Sequence, residues 1–228
     1  MRHVTVHVVR IFVNESNEFG SSVGIVIDEG YTLSSSRRLE ITRQLGFSET
    51  VFVNQIALGD MSIYSKQGEI AFASPLLGAV WFVEQQGKRL STITCQSKFI
   101  DVLHDKGLTW LRLPDTSTLP PWDLHELPNP TEVDRLRQVD RSSNEHTLFW
   151  APMGQKMSTP QIRARTFAPG WGIPEEEANG SGSMLLAHRL GKSIDVLHGK
   201  GSHIQVITND KGLVIGGSVC QDADRIVS

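Results

Sequence analysis

The chain has little cysteine: Cys95 and Cys220 are the only two in 228 residues. One pair cannot staple a chain of this length, and such sparse use fits a reducing compartment, so a cytoplasmic protein is expected. Charge of one sign is not in excess either. Twenty-two basic residues against 25 acidic ones leave a formal net charge of −3. Binding to phosphates calls for a basic surplus, so no nucleic-acid partner is expected. No stretch approaches the roughly 18 consecutive apolar residues of a membrane span, so no membrane partner is expected. The opening MRHVTVHVVRIFV alternates like a strand and lacks the basic-then-apolar order of a secretory leader. CxxC, HExxH and Walker-type motifs are absent, and the eight histidines show no metal-ligand spacing. No metal and no cofactor are therefore expected. What remains is an ordinary globular composition, 39% hydrophobic and 21% charged, able to fill a sizeable core. The length fits one large domain or two small ones.

Patterning predicts strands mixed with a few helices, an α+β chain. His3–Val13 and Gly20–Asp28 read as strands, the first with Val4, Val6 and Val8 on one face. Ser34–Gln44 reads as a helix with serines at its start, apolar Leu39, Ile41 and Leu45, and Gly46 as its stop. Glu49–Asn54 is a strand. Leu76–Gln86 is the most apolar helix, with Pro75 in the first turn, where its missing amide costs least. Leu113–Pro130 carries five prolines and reads as a linker. After it come a helix near Glu132–Val139, strands at Thr147–Trp150 and Ile162–Phe167, and a helix at Met184–Leu190. A closing hairpin, Ile204–Thr208 and Leu213–Val219, turns at Asn209–Gly212.

Two internal echoes suggest duplication. Ile63–Lys88 and Thr166–Lys192 both run from a strand through a glycine turn and a Glu to small polar residues, then a helix ending in Gly-Lys. Their stop glycines, Gly87 and Gly191, lie 104 positions apart. IDVLHDKG (Ile100–Gly107) and IDVLHGKG (Ile194–Gly201) repeat at an offset of 94, so both echoes cannot belong to one gapless repeat. Together they point to a duplicated α+β unit.

Three features could carry chemistry. Glu49 opens a strand within GFSETVFV; a desolvated carboxylate there could take and return a proton, while the competing reading is a solvated loop glutamate. Gly180-Ser181-Gly182-Ser183 opens a helix, where free amides and the helix dipole suit an anion, and Ser74-Pro75 opens the Leu76 helix in a similar way. Plain N-capping is the alternative at both. Glu175-Glu176-Glu177 reads as a solvated turn or as the source of a second carboxylate for Glu49. His104 and His198 read as structural, and neither cysteine sits in a glycine-rich helix opening.

The order of motifs resembles the PhzF-like family of phenazine-biosynthesis proteins, which share the diaminopimelate epimerase fold. The matching blocks are IFVNESNEFGSSVGIVID, ITRQLGFSETVFV, EIAFASPLLGAVWFV and FAPGWGIPEEEANGSGSMLLA, with VIGGSV as a closing strand. The resemblance spans nearly the whole chain, and its most specific block is the Ser-Glu-Thr motif. It implies two similar α+β halves, each a curved sheet around a central helix, with a cleft between them. It divides the chain into residues 1–114 and 115–228, the second half shortened between Asp140 and Thr166. It implies isomerisation by cofactor-independent proton transfer on a small cyclic amino acid bearing a carboxylate.

Carried over residue by residue, the resemblance makes Glu49 the acid–base residue and Glu176 the position of the family aspartate. The family Gly-Asn-Pro becomes Gly20-Ser21-Ser22. The histidine before the helix proline becomes Ser74, and the threonine before Gly-Ser becomes Asn179. Gly20, Ser21, Ser74, Asn179, Gly180, Ser181 and Gly182 are thus the expected substrate-binding residues. Ser74 can hydrogen-bond but cannot be a cation at neutral pH. The family's Gly-Arg-Pro-Ser is reduced to Gly201-Ser202, without its arginine. An isomerase with a small-molecule substrate is expected, a catalytically impaired binding protein is the alternative, and a homodimer burying an exposed sheet face is left open.

Overall fold

The valine-rich alternation at the N-terminus forms strand β1 (Val4–Val13), and burying both of its faces organises the first part of the chain. The computed structural model describes residues 3–105, 107–137 and 146–228. After β1 come β2 (Ser21–Ile27), α1 (Ser35–Leu45), β3 (Glu49–Gln55), a 3-10 turn at Ile56–Leu58, β4 (Asp60–Ser65) and β5 (Glu69–Ile70). Helix α2 (Pro75–Gln85) then leads into β6 (Thr92–Cys95), β7 (Lys98–Asp105) and β8 (Leu108–Leu113). The series continues with β9 (Asp123–Glu126), α3 (Pro130–Arg135), β10 (Thr147–Lys156), β11 (Thr159–Ala168), a 3-10 turn at Pro169–Trp171 and β12 (Ile173–Glu176). It ends with α4 (Gly180–Leu190), β13 (Ile194–His198), β14 (Ser202–Asn209), β15 (Gly212–Gly216), β16 (Ser218–Gln221) and β17 (Arg225–Val227).

Two compact units result, and they correct the expected split at residues 114 and 115. The first unit takes residues 1–11, 22–112 and 219–228; the second takes 12–21 and 113–218. The reason is strand pairing: β17 completes the first unit by pairing antiparallel with β1, Val4 opposite Val227. Residues 12–21 belong to the second unit through contacts such as the Gly20 amide donating to Ser202 Oγ at 2.9 Å. Phe12, the first residue of that insertion, is fully buried with φ 64°.

The units share one internal topology. In the first, β2 and β3 are parallel across α1, β4 runs antiparallel to β3 and β5, β4 and β6 are parallel across α2, and β7 and β8 follow antiparallel. In the second, β9 and β10 are parallel across α3, β11 runs antiparallel to β10 and β12, β11 and β13 are parallel across α4, and β14 and β15 follow antiparallel. Parallel neighbours need a long crossover, which each helix supplies. The 104-residue echo therefore marks equivalent helices, α2 and α4. The IDVLH echo does not: its first copy lies in β7 and its second in β13, the counterpart of β6. The five shared residues are used differently, since His104 is half-exposed and His198 is fully buried.

In the first unit, Ile41 and Leu45 of α1 pack on Val6, Val26, Phe52, Tyr64 and Val227. Each such side chain contributes about 1.5–3 kcal/mol on full burial. Helix α2 covers the opposite face, where a Cβ on Gly78 would come within 2.9 Å of Val9 and Ile11. Side chains alternate along a strand, so with Phe52 facing α1, Glu49, Val51 and Val53 share the α2 face of β3. Gly182 gives α4 the same closeness to the second sheet, where a Cβ would lie 2.8 Å from Leu148.

Several expected boundaries move. The Leu113–Pro130 linker contains β9, which pairs with β10 from Asp123 to Glu126. The region 140–166, expected to be shortened, holds the ten-residue strand β10 and most of β11. The helix expected to reach Val139 ends at Arg135, and residues 138–145 lie outside the described residues. Helix α4 begins at Gly180 instead of Met184, because Asn179 caps it and burial offsets the poor helix propensity of Gly and Ser. Strands β9 and β17, four and three residues long, are too short to be read from pattern.

Candidate active site

The N-terminus of α4 is built on Asn179, whose extended backbone (φ −105°, ψ 92°) directs its side chain back over the first turn. Its Oδ1 accepts from the Gly182 amide at 2.8 Å and from the Ser181 hydroxyl at 3.1 Å. Its backbone carbonyl accepts from the Ser183 amide at 3.1 Å and from the Ser183 hydroxyl at 2.8 Å. Ser181 Oγ in turn accepts from Trp122 Nε1 at 2.9 Å. The Gly180 and Ser181 amides, both in buried residues, have no hydrogen-bond acceptor among the described residues. The first turn of α4 carries no acidic side chain, whereas His188 and Arg189 occupy its last turn. The partial positive charge at its start is therefore not offset from within the helix.

Behind the cap, Asn179 Nδ2 donates to Thr166 Oγ1 at 3.2 Å, and Thr166 Oγ1 lies 2.9 Å from His198 Nε2. His198 Nδ1 lies 2.9 Å from the Glu177 carbonyl. Enclosure of the ring pushes the His198 pKa down to about 4, with the Glu177 carbonyl opposing and nearby Arg163 reinforcing the fall.

The three consecutive glutamates separate by partner. Glu175 accepts from Arg165 Nε at 2.7 Å. Glu177 accepts from the Lys200 amide at 2.9 Å and the Ser202 hydroxyl at 3.0 Å. Glu176 accepts from the Ser21 hydroxyl at 3.0 Å, and Ser21 Oγ itself accepts from the Ala178 amide at 3.1 Å. Gly20, Ser21, Glu176, Asn179, Gly180, Ser181 and Gly182 thus all belong to the second unit.

Glu49 and Ser74 belong to the first unit. Glu49 is half-buried at the first position of β3, opposite Ser65 of β4. Ser74 precedes α2 with helical backbone angles (φ −57°, ψ −23°) and makes no side-chain cap. It is 7% exposed, and its hydroxyl bonds to no described residue. Burial raises the Cys95 thiol to about 12 and raises Cys220 as well, so neither is a thiolate at neutral pH. Among the described residues no cluster of three His, Cys, Asp or Glu could hold a metal ion, and no helix is long and apolar enough to cross a membrane.

Trp122, Thr166 and His198 enter the site without having been singled out for it. His198 was read as structural. Thr166 and His198 are 32 positions apart and meet through the parallel pairing of β11 with β13, which no local motif announces.

Paired units of this topology, each with a buried crossover helix, define the α+β fold of the diaminopimelate epimerase class. No family model matches the sequence. Solved structures do match, and they carry the same fold. A phenazine biosynthesis protein of the PhzF family from Bacillus anthracis superposes with a TM-score of 0.80 at 17% identity, covering 100% of both chains. A PhzF-family protein from Enterococcus faecalis gives 0.75 at 16% identity, again over 100% of both chains. A hydroxyproline epimerase from Agrobacterium vitis, with bound trans-4-hydroxy-L-proline, gives 0.63 at 10% identity, covering 99% of this chain and 92% of that one. The chain has the fold of PhzF-family proteins.

Proposed function

We propose that this chain is a cofactor-independent isomerase that moves a proton at carbon on a small, carboxylate-bearing, cyclic amino-acid-like metabolite. The observation that carries the reading is the first turn of α4: two amides, both in buried residues, lack an acceptor among the described residues, and that turn holds no acidic side chain to offset its dipole. A substrate carboxylate satisfies both conditions at once. Glu49 is the proton-transferring group. Its half-buried place at the start of β3 suits a carboxylate that exchanges a proton with carbon. Glu176, held by Ser21 while its two neighbours are bonded to Arg165 and to the 200–202 turn, is the candidate carboxylate of the second unit. Beside Glu176, Ser21 donates its hydroxyl to that carboxylate and Gly20 donates its amide to Ser202. Fixed donors aimed at developing enolate-like charge would contribute as much as the base. The fold of epimerases and PhzF-family proteins supports this chemistry.

A second reading, a non-catalytic carboxylate-binding protein on the same scaffold, draws on one observation. The Ser181 hydroxyl is already committed, accepting from Trp122 and donating to Asn179.

The test is solvent exchange. Cyclic amino acids bearing a carboxylate are incubated with the native chain in deuterium oxide and read by proton NMR at the carbon beside the carboxylate. Deuterium should enter at least one of them, and Glu49→Gln should slow entry by roughly 10²–10⁴-fold. Equal incorporation by the variant overturns the assignment of Glu49. Binding without any exchange, unchanged in Glu49→Gln, establishes the second reading instead.

A further inference from the structure

The cap of α4 is the end of a hydrogen-bond chain in which every direction is fixed by chemistry. The Glu177 carbonyl can only accept, so His198 Nδ1 carries the hydrogen. A ring buried this fully, with Arg163 and Arg165 of β11 nearby against Glu175 and Glu177, is neutral and has one N–H. Its Nε2 is therefore an acceptor, and the Thr166 hydroxyl donates to it. With its one hydrogen committed, Thr166 Oγ1 can only accept from the other side, so the group of Asn179 facing it is the Nδ2 amide. That choice turns Asn179 Oδ1 toward the Gly182 amide and the Ser181 hydroxyl. Both ends are fixed, the Glu177 carbonyl as an acceptor and the Gly182 amide as a donor, so every link between them has one direction.

We infer that His198 is a positioning residue for the first turn of α4: through Thr166 it selects the face of Asn179 that caps the helix, and so holds the Gly180 and Ser181 amides in place for a ligand anion. The ligand part rests on the isomerase reading; the relay itself does not. His198 touches no substrate in this scheme. Its role is to complete the cap: by taking the Thr166 hydrogen it leaves Thr166 Oγ1 to accept from Asn179 Nδ2, so the orientation that the Gly182 amide requires is satisfied on both sides of the asparagine. This also separates Asn179 from its good capping relatives. Aspartate would cap Gly182 equally well, yet it has no N–H to offer Thr166.

Histidine-¹⁵N NMR of the whole chain tests the relay, with the His198 signal assigned by its loss in His198→Gln. The native protein should show hydrogen on Nδ1 and a bare Nε2. In Asn179→Asp the Thr166 hydroxyl should turn to the new carboxylate, leaving Nε2 to take up a proton, so the His198 titration midpoint should rise by roughly a unit or more. Amide exchange gives the second readout: Thr166→Val should speed exchange at Gly182 roughly tenfold, and Thr166→Ser, which restores the hydroxyl, should not. Hydrogen on Nε2 in the native chain, an unmoved midpoint in Asn179→Asp, or native-like Gly182 exchange in Thr166→Val would each overturn the inference. None of these readouts uses turnover. A chain that passes them but never exchanges substrate protons loses the isomerase reading alone, and a chain that turns over but fails them loses this one.

Discussion

Helices α2 and α4 occupy the same place in two units of the same topology, yet their N-termini are finished by different chemistry. Asn179 closes α4 with four hydrogen bonds and has a buried relay behind it. Ser74 precedes α2 with a hydroxyl that caps nothing, and Pro75 removes one of the amides that would need a cap. Duplicated architecture has kept what packing requires, a glycine at the close helix–sheet contact in each unit. The polar ends of the helices are under no such packing constraint and have diverged. The two crossover helices α1 and α3 differ in the same spirit. Buried Arg38 of α1 pairs with buried Asp28 and also donates to Asn54 at 2.7 Å. The six-residue α3 is held from outside, its last carbonyls accepting from Arg165 and its exposed Asp134 from Arg163 at 2.7 Å.

The largest break in this comparison should come from Asp28→Ala, which strands the Arg38 guanidinium in the core and should cost about 3–5 kcal/mol in urea unfolding. Asp134→Ala, at an exposed carboxylate, should cost no more than about 1 kcal/mol. Similar losses for the two would erase the distinction between the anchors.

Acid should act next, and through the second unit. His198 has a folded pKa of about 4 against 6.5 in the unfolded chain, so the unfolded state takes up the proton first. Stability from the neutral ring is complete above pH 6.5 and is lost as pH falls toward 4, by roughly 3 kcal/mol in all. Urea midpoints at pH 7, 5.5 and 4 should fall more steeply for the native chain than for His198→Gln. Parallel profiles would show that the ring is not the titrating group.

The smallest effect is the sharpest probe of the caps themselves. Asn179→Ala should destabilise by about 1–2 kcal/mol, and Ser74→Ala should stay within about 0.5 kcal/mol of the native chain. A Ser74→Ala loss as large as that at Asn179 would mean that the α2 hydroxyl is a cap after all.

Where local chemistry decides structure, the sequence was legible. Ser34 and Gly46 bracket α1 as read: the Ser34 hydroxyl accepts from the Arg37 amide at 3.2 Å, and Gly46 has φ 75°. The apolar run at Leu76 forms α2, and the closing hairpin forms with its turn at Asn209–Gly212. Legibility failed where tertiary context overrides local preference. Glycines and serines 180–183 read as the opening of a helix that starts at Met184, and burial makes them its first turn. The IDVLH repeat looked like homology and sits on non-equivalent strands. For the candidate site, motifs could nominate residues such as Asn179 and Glu176, whereas nothing local nominates Thr166 or Trp122. They reach Asn179 and Ser181 only through strand register and a contact 59 residues apart.

The exchange of segments, with residues 12–21 in the second unit and 219–228 in the first, bears on how the chain acquires its structure. Val4 must wait for Val227 before β1 is fully paired, so the first unit cannot finish until residues 225–227 exist. Contacts of such long sequence separation slow folding, because loop closure is lost before pairing rewards it. Cutting the chain at Arg112 would leave two fragments, each lacking a strand or segment that the other carries. Neither should be stable alone, and mixing them should restore structure, as with two halves of a clasp.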